Sequence, residues 1–191
     1  ALALAEAGAH REVGVVQPEV TRGSHRASLT RRRPRPSRSE GQWQGMSLVP
    51  TPDNAAKISA MVVPFAEKNY GVVLDYGVES LRQLDGILDD LRRDQSFENL
   101  QPLLFAMGCY VGQVMVKNAG ACWRVTGDLG MGEVASSPIA IRVRDGRGCN
   151  PVGKVYKRFQ NGPEDSLALF YHVMTQVPPE KLAGQDRKDQ A

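Results

Sequence analysis

Nothing limits what this chain can become more than the run Leu100–Trp123, LQPLLFAMGCYVGQVMVKNAGACW. Leu100, Leu103, Leu104, Met107, Tyr110, Val111, Val114 and Met115 recur at helical spacing and make a broad apolar face. Such a face must be covered by other elements, so this helix belongs at the centre of the fold. Gly108 and Gly112 lie four apart on one side of it. Each glycine costs up to about 1 kcal/mol relative to alanine in a helix interior. Two in register therefore predict a backbone passing close by, or a groove for a ligand. Asn118-Ala119-Gly120 closes the helix with a left-handed cap. ACWRVT then alternates as a strand, with Cys122 and Arg124 on one face and Trp123 and Val125 on the other.

The elements around this stretch are read by the same rules. Thr51-Pro52-Asp53 starts a capped helix carrying Ile58, Met61, Val62 and Phe65, which Pro64 ends or kinks. Asn69–Leu74 reads as a connection. Asp75 opens a second helix with the stripe Val78, Leu81, Leu84, Leu88 and Leu91, and its acidic residues lie mostly off that stripe. Asp89 is in reach of Arg92 or Arg93 on the same helix. Pro102 is acceptable only in a first turn. Gly127–Gly132 is a loop. Ile139–Arg144 reads as a strand with Ile139, Ile141 and Val143 inward and Ala140, Arg142 and Arg144 outward, followed by a tight turn at Asp145–Gly148. NPVGKVYKRFQNG resembles a strand by its valines and aromatics. However, Val152, Val155, Tyr156 and Phe159 follow the helical spacing, Asn150 can cap and Pro151 sits at the first position. A helix over Pro151–Gln160 is expected, then a last one from Pro163 to about Gln176 with Leu167, Leu169, Phe170, Val173 and Met174 available for burial. No internal repeat is present.

These elements predict an α+β domain over 46–178, with four or five helices packed on a small antiparallel sheet of two to four strands. Residues 1–45 hold eight Arg, no Lys and four Glu, with no sustained periodicity. They read as a disordered Arg-rich extension. An all-Arg basic set before Met46 also fits translated GC-rich DNA upstream of a true start. Residues 179–191 read as a flexible polar tail. The whole-chain charge of +3 thus comes from the first 45 residues, and the rest is close to neutral.

Several chemistries are disfavoured. Three cysteines (Cys109, Cys122, Cys149) without a C-x-x-C pair point to a reducing compartment, and a cytoplasmic location is expected. One histidine after residue 45, His172, leaves no metal site, and no cofactor is expected. No apolar run reaches the roughly 20 residues of a membrane span. Cys149 before the cap Asn150 reads as an ordinary loop thiol; a nucleophile acidified by a helix N-terminus, with His172 as its base, is the disfavoured alternative. The loop Gly127-x-x-Gly130-x-Gly132 matches no phosphate-binding pattern. Arg142, Arg144 and Arg147, with Lys154, Lys157 and Arg158, form a basic set that mirrors the acidic Asp75–Asp94 helix. That symmetry permits pairing within the chain or between copies as a homodimer. Nucleic acid is poorly supported, because few aromatics are interleaved for base stacking.

The run Gly108-Cys109-Tyr110-Val111-Gly112-Gln113-Val114, then Gly120 and Trp123, resembles small bacterial families of unknown function. Their pattern is a helix with G-x-Y-x-G-E-V, a short gap, then G and W. Ser80-Leu81-x-x-Leu84-Asp85, Asn150-Pro151, Lys157-Arg158-Phe159, Gly162 and Asp165-Ser166-Leu167 are similar as well, so the resemblance spans about 75–175. It implies helices on a small antiparallel sheet and no particular activity. Gln113 stands where the pattern carries Glu, which weighs against acid–base catalysis there. Three functions stay open. The first is a non-catalytic protein-binding module, of immunity type among others, using Arg142, Arg144 and Arg147. The second is a small-molecule binder or enzyme built on Tyr110, Gly112, Gln113 and Trp123. The third is a nucleic-acid accessory protein acting through the Arg-rich segment.

Overall fold

The computed structural model describes residues 48–132 and 135–176, all within one compact unit. The N-terminal extension, Met46 and the polar tail expected above lie outside the described residues. The fold is α+β. Its helices are α1 (Pro52–Ala60), α2 (Val62–Tyr70), α3 (Ser80–Asp94), α4 (Phe97–Ala119), α5 (Pro151–Asn161) and α6 (Leu167–Thr175). Its strands are β1 (Cys122–Val125), β2 (Ile139–Arg142) and β3 (Gly148–Cys149), antiparallel in the order β1-β2-β3. With α1 and α2 taken as one arm broken at Met61, five helical bodies pack on this sheet. Among the described residues no helix is long and apolar enough to cross a membrane.

Helix α4 is the axis, and it buries twelve residues along 23. Its principal neighbours are α5 and α1. The two glycines explain how α5 comes so near. A Cβ on Gly108 would stand 2.5 Å from the Val152 Cα, and one on Gly112 would collide with the Trp123 ring and lie 3.2 Å from Pro151 Cγ. The close backbone expected from their spacing is therefore that of α5. Asn150 Oδ1 accepts the Gly153 N–H at 2.8 Å, which fixes the start of α5 as its Asn-Pro pair implies.

Local departures from the sequence reading have physical causes. Pro64 does not end the first helix. It sits at the third residue of α2, where a missing N–H is tolerated, and the break falls at Met61. Helix α2 then runs to Tyr70 and stops at Gly71, φ 63°. Helix α3 starts at Ser80, five residues after Asp75. Asp75 Oδ1 instead takes the Gly77 N–H in a local turn, and Tyr76 adopts φ 64°. Helix α4 starts at Phe97, so Pro102 lies in its second turn, where the unmatched carbonyl belongs to exposed Glu98. The last helix begins as a 3-10 turn, Pro163–Asp165, and becomes α-helical only after the Ser166 cap.

The sheet follows the expected alternation with two exceptions. Cys122 pairs with Arg142 and Val125 with Ile139, so Ile139, Ile141 and Val143 point into the core. Ala140 is also buried, because the 3-10 turn Thr126–Leu129 folds back on β2, where the Thr126 N–H and hydroxyl both bond the Pro138 carbonyl. Val125, at the end of an edge strand, is exposed. The short strand β3 continues directly from the Asp145–Gly148 turn.

Candidate functional site

The residues first suspected of holding a small molecule are each engaged within the fold, Tyr110 by Ser80 and Tyr76, and Trp123 by Gly112 and Gln113. Tyr110 is fully buried. Its hydroxyl donates to Ser80 Oγ at 2.8 Å and accepts the Tyr76 N–H at 2.8 Å, while its ring stacks on Tyr76 with centroids 4.6 Å apart. Burial pushes its pKa up, more than its hydrogen bonds with Ser80 and Tyr76 pull it down. Trp123 covers Gly112, and its indole N–H donates to Gln113 Oε1 at 3.3 Å. An acceptor is all that position supplies here, and glutamate would supply one equally well. The chemistry-bearing atoms of this cluster thus serve the join between α4, the Tyr76 turn and β1.

The thiols are no better placed for catalysis. Burial raises Cys149 to about 12, against a smaller opposing effect of Arg147, and raises Cys109 to about 12 as well. Cys149 is buried, and the α5 N-terminus beside it is already capped by Asn150.

The basic set is split by the fold. Arg147 Nε pairs with Asp145 at 2.6 Å, and its Nη2 donates to the carbonyls of Met174 and Gln176, tying the β2–β3 turn to the end of α6. Arg158 is 2% exposed and ion-paired with Asp85 and Asp89, each at 2.8 Å. Burial works to lower its pKa, but the two carboxylates carry it above the ordinary value and keep it charged. Asp85 also accepts the Ser166 hydroxyl and the Leu167 N–H, so one carboxylate joins α3, α5 and the start of α6. Asp89 pairs with Arg158 rather than with Arg92 or Arg93. Lys154 pairs with Asp165 at 2.6 Å. Among the described residues, Arg142, Arg144 and Lys157 remain outward and without an ion pair, although Lys157 lies near enough to help lower the pKa of Asp165, after the larger effects of its hydrogen bonds with Lys154 and Asn161.

Helix α6 was not anticipated as a site. Leu169 and Val173, one turn apart on it, are 59% and 56% exposed. Each is followed by a half-buried apolar residue that lines a cavity. Phe170 shares one of about 560 Å³ with Ser136, Asn150, Lys154, Lys157 and Asp165. Met174 shares another of about 550 Å³ with Val143, Arg144, Asp145 and Tyr171. An aliphatic ridge thus runs along α6, with a cation in the cavity at either end. The sequence offers Leu169 and Val173 for burial with Leu167, but α6 buries Leu167, Ala168 and Tyr171 and leaves those two outside, because it packs by its opposite face.

Comparison with protein-family models, curated proteins and solved structures finds no match for this chain.

Proposed function

We propose that the domain is a non-catalytic protein-binding module whose contact face is the outer side of α6, flanked by Arg144 and Lys157. The observation that carries this reading is the exposed aliphatic ridge Leu169–Val173, flanked by one cavity holding Arg144 and Asp145 and another holding Lys154, Lys157 and Asp165. Large aliphatic side chains set one turn apart in water, with polar residues at the margin, are the usual composition of an interface core and rim. The absence of work left for Tyr110, Gln113 and Cys149 supports a binding role over a catalytic one. Arg147, one of the three arginines first assigned to the face, instead supports it from behind. Kinship with bacterial families of unknown function and a cytoplasmic setting belong to the same proposal, with immunity to a toxin one form such binding takes.

The test is site-specific photo-crosslinking of the full chain in its host cell. A crosslinker at Val173 should capture a discrete protein that a crosslinker at Lys68, on the exposed face of α2, does not. The purified pair should then associate, and Leu169→Asp with Val173→Asp should weaken binding at least about tenfold, or about 1.4 kcal/mol, with unchanged thermal melting. Equal capture from both positions, no capture, or indifference to the two substitutions overturns the reading.

A further inference from the structure

We infer that the partner presents an acidic amphipathic helix, laid across α6 with its apolar side on Leu169 and Val173 and its carboxylates at Arg144 and Lys157. This rests on the docking reading above and specifies the chemistry of what docks. The backbone of α6 is committed to its own hydrogen bonds, and its last carbonyls are held by Gln176 N–H and Arg147. A strand seeking backbone partners therefore gains nothing here, and recognition must run through side chains. Residues four apart on a helix form a ridge with a rise of about 6 Å, and the grooves of a facing helix accept such ridges. Helix α6, which carries the ridge, is about 14 Å long for its nine residues, which suits two or three turns of a partner helix.

Charge selects the occupant. Arg144 and Lys157 are exposed and make no ion pair among the described residues; Arg144 lies in one cavity beside Asp145, which pairs with Arg147, and Lys157 in the other beside Asp165, which pairs with Lys154 and also feels the Lys157 charge. A second copy of this chain docking by a two-fold axis would bring like cations together. Nor does the acidic helix of a second copy offer a ready complement. Most of its carboxylates are engaged already, Glu79 with Arg82, Asp90 with Arg93, and Asp85 and Asp89 with Arg158, which leaves exposed Asp94 as a single charge against two cations. The chain's own first 45 residues carry a net positive charge and are of the wrong sign. A separate, acidic helix is what complements both the aliphatic and the cationic parts of the face.

The experiment selects displayed random peptides of about 16 residues on the full chain, with counter-selection on the Leu169→Asp/Val173→Asp variant. Expected are net-negative peptides with apolar residues at i, i+3 or i+4, and i+7. A synthetic representative should lose at least about tenfold in affinity with Arg144→Glu and Lys157→Glu, and similarly on going from about 50 to about 500 mM salt. Lys68→Glu should change little, and circular dichroism should show each variant folded. Ridge-dependent peptides that are neutral, basic or without helical spacing overturn the acidic-helix inference while leaving the docking face standing. If no ridge-dependent peptide emerges at all, the docking reading itself falls.

Discussion

Two glycines on α4 set how near α5 can come, and their cost is recovered only because of that nearness. Backbone cannot swing aside as a side chain can, so the 2.5 Å separation from Val152 Cα makes Gly108 the stricter of the pair. Gly108→Ala should destabilise the domain by about 1–3 kcal/mol through overpacking. Gly86, inside α3, has nothing within 4 Å of where its Cβ would be. Gly86→Ala should therefore stabilise by up to about 1 kcal/mol. Urea melts of the two variants should shift in opposite directions, and a shift of the same sign would refute the packing account. At this scale the sequence was informative about spacing and silent about partners. The interval between Gly108 and Gly112 announced a close approach. That Tyr110 bonds Ser80 and the Tyr76 N–H, spanning 30 and 34 residues, depends on a turn whose left-handed Tyr76 no periodicity foretells.

Elements were legible where local chemistry decided them. Helix α5 has a side-chain cap, a proline at its first position and an unbroken apolar stripe, and each agrees with the others. The start of α3 was missed because Asp75 has two local uses, capping a helix or closing a turn, and the second won. Strand β3 has two residues and draws its existence from β2, so no pattern of its own exists to be read. The acidic face of α3 illustrates the harder case. Asp85 and Asp89 occupy positions that suit a solvated surface, yet their partner Arg158 lies on a helix 73 residues from Asp85. Removing one side of such a buried pair strands the other charge, so Asp85→Ala should cost about 3–5 kcal/mol. Arg158→Met should cost less, since Asp85 keeps its bonds to the Ser166 hydroxyl and Leu167 N–H. Denaturation midpoints of the two variants rank them directly, and the reverse order would remove Asp85 as the joint between α3, α5 and α6.

For the molecule as a whole, the distribution of charge matters more than its total. The core residues among those described all lie between Ala55 and Tyr171, and the Arg-rich first 45 residues fall outside the described part of the chain. Those residues nevertheless supply a net +4, from eight Arg and four Glu, while the full chain carries +3. Removing residues 1–47 therefore turns a basic protein into one with a net charge of −1. Such a truncated chain should melt cooperatively, within about 4 °C of the full chain for a change under about 1 kcal/mol. The decisive measurement is its affinity for the acidic helical peptides that select α6. Interactions of exposed charges fade beyond about 8–10 Å at physiological salt, so Arg144 and Lys157 act locally whatever the sign of the whole. The truncated chain should bind those peptides within about threefold of the full chain at physiological salt, despite its reversed net charge. A tenfold or greater loss would move the attraction from the α6 face to the Arg-rich segment, and with it the function from a docking module towards a polyanion-binding arm.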